Sequence, residues 1–376
     1  MENIADGIPD GIRSAPAVGD IDGDGDLEIV STTYDRIIRA YHHDGTAVSG
    51  WPIVRADGDP ILRGGESTAA IGDIDNDGLN EIVVGTFSPP WNGDDGSGPF
   101  PPTYNNPDYS RATVWALNGD SSLVDGWPVV TEMVVRSSPA LGDIDGDGDL
   151  EIVVGTGDYT GYINGKKVYA WHGDGTPVAG WPRPTAANML SSPALGDVDG
   201  DGVLDVVIGC GGEGLQSDAD CRYMYGWKGN GANLPGFPVV APKAMQHPPV
   251  LADIDGDGRL EIIQTSHMTT DLFVFQHNGA NANPQVDQSR SLSRAIPTTP
   301  LITDADGDDV LEMIVAGETA DREPAVFIFY ESGAYDPDLL QWPEFHQNSA
   351  RTGVLLAPEL WTLPQIFLFH QSGSGN

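Results

Sequence analysis

One phrase, written six times, constrains this chain more than any other feature of its sequence. It reads SAPAVGDIDGDGDLEIV from Ser14, STAAIGDIDNDGLNEIVVGT from Ser67 and SSPALGDIDGDGDLEIVVGT from Ser137. It returns as SSPALGDVDGDGVLDVVIG from Ser191, PPVLADIDGDGRLEII from Pro248 and TPLITDADGDDVLEMIVAG from Thr299. The first Asp of each copy falls at 20, 73, 143, 197, 253 and 304, giving steps of 53, 70, 54, 56 and 51 residues. A period near 50 belongs to propeller blades rather than to leucine-rich or ankyrin solenoids.

Each period reads as four strands. A short apolar stretch such as Pro139–Leu141 enters the acidic loop, and an alternating one, Leu150–Val154, leaves it. A third, aromatic stretch (KVYAWHGDGT from Lys166) ends in a Gly-bearing turn, and a fourth opens at Trp51–Pro52, Trp127–Pro128, Trp181–Pro182 or Phe237–Pro238. Alternation bounded by Gly, Asn and Asp clusters is the strand and hairpin signature. The 48 Gly and 29 Pro among 376 residues supply the turns that many short strands need. The expected fold is all-β: a β-propeller of four-stranded blades. Six blades span residues 14–349, and Trp342–Pro343 opens the fourth strand of the sixth. Seven blades are the alternative, because IFLFHQSGSGN from Ile366 resembles the third-strand phrase LFVFQHNGAN from Leu272. Residues 350–376 are then a tail or a partial blade, which residues 1–13 would complete.

Within each phrase the acids occupy positions 1, 3, 5 and 9. The sets are Asp20, Asp22, Asp24, Glu28; Asp73, Asp75, Asp77, Glu81; and Asp143, Asp145, Asp147, Glu151. The remaining three are Asp197, Asp199, Asp201, Asp205; Asp253, Asp255, Asp257, Glu261; and Asp304, Asp306, Asp308, Glu312. Together they hold 24 of the 56 acidic residues. Two carboxylates about 4 Å apart repel by roughly 4 kcal/mol at an effective dielectric near 20, so four on one turn call for a cation. Hard oxygen donors select calcium over zinc or copper. The Asp-x-Asp-x-Asp-Gly opening matches that of the EF-hand loop, but an acid at position 9 rather than 12 closes a compact loop between two strands. Six structural calcium ions are the expectation. Position 6 is Gly in five loops and Asp309 in the last, where a left-handed backbone is harder to adopt, so the sixth site is the weakest.

These phrases resemble the FG-GAP/VCBS repeats of integrin-α-type β-propellers, whose D-x-D-x-D-G-x-x-[DE] loops join a blade's first and second strands. The resemblance covers residues 14–349 and implies the propeller fold and calcium while naming no ligand. Integrin-type Phe-Gly and Gly-Ala-Pro marks are replaced here by Ser-x-Pro-Ala and Val-Gly-Thr. WPEFHQNSARTG from Trp342 is similar to the terminal phrase of secreted bacterial proteins with such repeats.

Charge narrows the partners. Eighteen basic against 56 acidic residues give a net charge of −38, which repels nucleic acid and anionic membrane surfaces. No apolar run approaches the roughly 18 residues of a membrane span. The start, MENIADGIPD, lacks the features of a secretory signal, so a signal has been removed or the chain is a piece of something longer. Calcium sites of modest affinity suit an extracellular or cell-surface setting. A ligand, carbohydrate or protein, is expected on the face opposite the acidic loops. There the loop of residues 87–110 carries Trp91, Phe100, Tyr104 and Tyr109, and the next unit offers Tyr159. Proline-stiffened aromatics suit stacking on sugar rings, and equally they could pack over the disc and shield a blade edge. Cys210 and Cys221 flank a hairpin loop and form a disulfide or remain two thiols; the disulfide would add about 3 kcal/mol and imply an oxidising compartment. Enzyme signatures such as Gly-x-Ser-x-Gly or His-Glu-x-x-His are absent. The reading is therefore a binding or adhesion module. A polysaccharide lyase or hydrolase on the same disc, with the basic residues Arg36, Arg111, Lys166, Lys167 and Arg222 near its second-face loops, is one alternative. A structural subunit of a larger surface assembly is the other.

Overall fold

The computed structural model describes residues 14–33, 37–53, 67–86, 112–157, 166–210, 222–241, 243–266, 272–280, 298–318, 324–334, 340–342, 346–348 and 352–355. Among these residues there is no helix. Each phrase folds into one antiparallel sheet whose strands follow chain order. Sheet one holds β1 (Ala17–Gly19), β2 (Glu28–Thr32) and β3 (Ile38–Tyr41). Sheet two holds β4 (Ala70–Gly72), β5 (Glu81–Gly85), β6 (Ala112–Leu117) and β7 (Val129–Thr131). Sheet three holds β8 (Ala140–Gly142), β9 (Glu151–Gly155), β10 (Lys167–Trp171) and β11 (Arg183–Pro184). Sheet four holds β12 (Ala194–Gly196), β13 (Asp205–Gly209), β14 (Tyr223–Lys228) and β15 (Val239–Val240). Sheet five holds β16 (Val250–Ala252), β17 (Glu261–Thr265) and β18 (Leu272–Phe275). Sheet six holds β19 (Leu301–Thr303), β20 (Val310–Glu318) and β21 (Pro324–Ala334), and a final short strand, β22, covers Val354–Leu355.

Four of the second strands are rich in Val and Ile and are buried on both faces: every residue of β5, β9, β13 and β17 is buried. A strand without a polar side must lie in a sheet covered front and back. Sheet one lays Val30, Ile38 and Ala40 against Ile71, Ile82 and Leu117 of sheet two. Sheet two in turn lays Val83, Val114 and Ala116 against Leu141, Ile152 and Trp171 of sheet three. The first strands of successive sheets meet in series, β1 to β4, β8, β12, β16 and β19. Sheets stacked face to face with their first strands converging form a β-propeller, as the repeat predicts.

The Trp-Pro pairs open β7 and β11, and their indoles fasten one sheet to the next. Trp51, Trp127 and Trp181, each at most 7 % exposed, donate from Nε1 to the carbonyls of Gly119, Gly173 and Gly229 at 2.8, 2.6 and 2.6 Å. Those glycines close the third strand of the following sheet and press on the preceding sheet's acidic loop. A Cβ built at Gly173 would lie 1.7 Å from the carbonyl oxygen of Ile74. Sheets one and five carry His43 and His277 at this place.

Trp342 departs from its expected role. Among the described residues it opens no fourth strand of sheet six but pairs with Leu251 on β16, donating to its carbonyl at 3.1 Å and accepting from its N–H at 2.8 Å. A first strand has neighbours in its own sheet on one side only, so its inner edge leaves backbone groups that need partners. Residues 340–342, 346–348 and 352–355 supply partners across four sheets, as a strap. Gln341 accepts from the Asp197 N–H at 2.8 Å, and His346 Nε2 lies 2.8 Å from the Pro139 carbonyl. Gly353 accepts from Leu141, Thr352 accepts from Ile71, and β22 runs parallel to β8. Of the stretch 350–376 expected as a tail or partial blade, residues 352–355 belong to this strap, and 350–351 and 356–376 lie outside the described residues, as do 1–13.

Gly173→Ala is expected to destabilise the protein by about 1–3 kcal/mol, because backbone rather than a yielding side chain fills the space. A denaturation midpoint equal to that of the native sequence would contradict this packing.

Candidate metal centre

Each acidic loop is folded by its own carboxylates. The N–H of position 6 donates to one oxygen of the position-1 Asp in all six loops, from Gly25, Gly78, Gly148, Gly202, Gly258 and Asp309, at 2.8–3.1 Å. The N–H of position 7 donates to the position-5 Asp in all six, at 2.8–3.1 Å. These bonds turn the backbone inward and need φ > 0 at position 6, which is +85° to +96° at four of the glycines outside the fourth loop, +88° at Gly202 and +63° at Asp309. Asp309 thus adopts the left-handed conformation that the sequence marks as unfavourable there.

The closing acid is different in kind. Glu28, Glu81, Glu151, Asp205, Glu261 and Glu312 begin or enter the second strands and are at most 1 % exposed. One oxygen of each accepts from the position-2 N–H at 2.7–3.1 Å. In units one and three the other oxygen faces imidazole, His42 Nδ1 at 3.2 Å from Glu28 and His172 Nδ1 at 3.1 Å from Glu151. In units five and six it has no hydrogen-bond partner: Glu261 Oε1 and Glu312 Oε1 are buried and unsatisfied, and Asp73 Oδ1 of unit two is in the same condition. Burial pushes the Glu81 and Glu151 carboxyls up to about 7, Asp205 to about 7 and Glu261 to about 8, with the neighbouring Asp residues adding to the rise.

All 24 acids predicted as ligands fall on these loops, and ligand-competent oxygens of Asp20, Asp22, Glu28 and of Asp73, Asp75, Glu81 lie within 4.8 Å of one another. Asp145, Asp147, Glu151 and His172 form a further such group. The donor set, hard oxygens around a buried unpaired carboxylate oxygen, fits calcium. What the motif alone missed is the residue ending the third strand: His42, His172 and Lys228 there reach the acids of the loop, and Asn118 and Gln276 hold the same place in the sequence. The signal was its fixed offset before the Gly-bearing turn. At unit four the Lys228 ammonium sits 2.5 Å from Asp199 and 2.6 Å from Asp201, and these bonds raise its pKa. A side-chain cation stands there between two of the predicted ligands.

The other sequence-predicted residues are less placed. Cys210 is buried, its N–H donating to the Tyr223 carbonyl at 2.8 Å, while Cys221 lies outside the described residues. Trp91, Phe100, Tyr104, Tyr109 and Tyr159 also lie outside them.

Comparison with known proteins places the repeats. Residues 20–84 match the model of an FG-GAP-like repeat, and residues 135–168 match that of the FG-GAP repeat. No curated protein matches the sequence. Among solved structures, the chain is similar to the V. cholerae biofilm matrix protein Bap1, at 18 % identity and a TM-score of 0.49 over 83 % of this chain. It spans 48 % of the length of that Bap1 chain. It is also similar to BBS1N in complex with ARL6DN, at 13 % identity and a TM-score of 0.47 over 85 % of this chain and 83 % of the other. A third similarity is to the Dos1 propeller, at 8 % identity and a TM-score of 0.43 over 82 % of this chain and 68 % of that one.

Two outcomes follow from the loops. Glu81, Glu151, Asp205 and Glu261 hold protons more tightly folded than unfolded, so without a cation they favour the folded state at low pH. That advantage is lost as the pH rises from the unfolded value of about 4 through the folded values of about 7 to 8. In chelator, the melting temperature is expected to fall between about pH 5 and pH 8, and millimolar calcium is expected to abolish the fall. A chelated melt independent of pH, or one that calcium leaves unmoved, would contradict the site. Lys228→Gln is expected to raise by one the calcium ions bound per chain, measured by titration calorimetry; an unchanged count would mean that the ammonium yields to the ion.

Proposed function

We infer that this chain, whose repeats are of the FG-GAP type, is a calcium-stabilised β-propeller that serves as a binding or adhesion module outside the cell or at its surface. The observation that carries the calcium assignment is the buried, unpartnered carboxylate oxygen at Glu261 and Glu312, beneath loops that present further acids to the same space. A group so placed is strongly unfavourable unless a cation meets it. If an ion binds with a Kd near 10 μM in millimolar calcium, each site adds about 2.7 kcal/mol to stability. Affinities of that order are met by the extracellular medium and not by the resting cytosol, which favours the localisation.

The ligand in this reading is a carbohydrate, a surface polymer or a protein, held on the face opposite the acidic loops. The rigid disc favours such a role, since loops on a fixed scaffold keep their binding groups in place without ordering them anew. The aromatic loop with Trp91, Phe100, Tyr104 and Tyr109, together with Tyr159, is the assigned contact surface. The net charge of −38 makes a polyanion held by direct contact a poor ligand and a neutral polymer a better one.

Size-exclusion chromatography in millimolar calcium, with neutral and acidic polysaccharides, tests the assignment. Co-elution with intact polymer is expected, and Trp91→Ala is expected to weaken it at least about tenfold, the loss of roughly one stacking contact. Shortened polymer would replace the binding module with an enzyme. Absence of any effect on the whole panel would remove carbohydrate and leave a protein partner.

A further inference from the structure

The residue at the end of the third strand divides the acidic loops into kinds. In units one and three it is an imidazole, while in units two and five the same place in the sequence holds the amides Asn118 and Gln276. His172 Nδ1 lies 3.1 Å from Glu151 Oε1 and 4.0 Å from Asp145 Oδ2. Ligand atoms of Asp145, Asp147, Glu151 and His172 all lie within 4.8 Å of one another, as do those of Asp22, Asp24 and His42. His42 Nδ1 also lies 3.2 Å from Glu28 Oε1. Both rings stand on fixed backbone: the N–H groups of His42 and His172 donate across the following turn to the carbonyls of Thr46 and Thr176, each at 2.9 Å. These are not the all-oxygen sets that calcium takes. An imidazole nitrogen suits zinc, copper, iron or nickel. Donors bound at 2.0–2.2 Å to one such ion stand from about 3 to about 4 Å apart. The two His172 distances fall in that range.

We propose that the loops of units one and three hold a transition-metal dication of the zinc class, with His42 and His172 as ligands, while units two, five and six keep calcium. This rests on the reading of the acidic loops as cation sites. In unit three, Asp145, Asp147, Glu151 and His172 Nδ1 supply the four donors of a tetrahedral shell. In unit one, Asp22, Asp24 and His42 supply three, with the Glu28 carboxylate against the same ring nitrogen. The imidazole acts on selectivity in two ways. It contributes a nitrogen, which a first-row transition ion takes readily and calcium does not. It also fills a place where calcium, which needs six to eight oxygens, would require another oxygen donor. One position in the repeat thus sets what each loop accepts. An ammonium at Lys228 stands where an ion would, an imidazole changes the class of ion, and the amides at Asn118 and Gln276 offer oxygen.

Zinc titrated by calorimetry into the full chain, in millimolar calcium, tests this. Two zinc ions per chain are expected. His172→Gln, which installs the amide found in unit five, is expected to weaken one of them at least about tenfold, the least that loss of even an outer partner of a ligand costs. His42→Gln is expected to do the same to the other. Cobalt(II) in place of zinc is expected to move the ring proton resonances of His42 and His172 outside the diamagnetic range. That readout uses the native sequence and serves if a variant unfolds. The calcium-dependent rise in melting temperature, carried by the other loops, is expected to persist in both variants, so a failure of calcium binding altogether is read apart from a failure of the imidazole sites. Absence of zinc uptake against calcium would overturn the proposal, as would uptake that both variants leave unchanged, which would mean an adventitious ion only. Uptake weakened by the variants without shifted ring resonances would overturn it in favour of imidazoles that only orient Glu28 and Glu151.

Discussion

A carboxyl group held out of water at the foot of each acidic loop sets the terms for the rest of the molecule. Placing it there is unfavourable by several kcal/mol unless its charge is met or neutralised. The chain answers in several ways. Imidazoles meet Glu28 and Glu151, and an ammonium neutralises the Asp199–Asp201 edge of the fourth loop. Glu261 and Glu312 keep one oxygen open. The same group also shapes the hairpin, since its second oxygen holds the N–H of position 2 and fixes how the loop leaves the first strand. Electrostatics and backbone geometry are therefore one problem here, solved at one residue per unit.

The loops are also joints between sheets. Asn80, in the second loop, donates to the carbonyl of Asp20 in the first at 2.7 Å, and Arg259 in the fifth donates to the carbonyl of Asp199 in the fourth at 3.1 Å. The Trp–Gly bonds lie alongside, and the glycines rest on the loop carbonyls themselves. A loop that is held rigid by its charge balance thus holds the next sheet in register, and one that splays lets that sheet go. Coupling of this kind makes the stabilising effect of successive sites non-additive, because neighbours share a joint.

Much of this was legible in the sequence. The Gly at position 6 stated a positive φ, and the alternation after each loop stated a strand, because local geometry there depends on residues a few positions apart. The Trp-Pro marks located β7 and β11 for the same reason. Trp342 precedes a proline in the same way and yet pairs with Leu251 in another sheet. Its placement is decided by an unpaired inner edge some 90 residues away, about which the dipeptide says nothing. Lys228 was equally silent: a lysine ending a strand reads as solvated until the topology puts the acidic loop beneath it. Local rules fixed elements; only the assembled sheets decided which long-range partner each one met.

The strap formed by residues 340–342, 346–348 and 352–355 bears on the order of events in folding. Its described residues bind the first strands of sheets two, three and five and the backbone of Asp197 just after that of sheet four, all of which leave the ribosome before it does. Contacts between residues so far apart raise the contact order and slow the final step, since each waits on closure of a very long loop. The sheets can form early and locally, as each is built from neighbouring hairpins. Their inner edges stay open until the strap arrives, and during synthesis this interval is the one in which another extended segment could take its place.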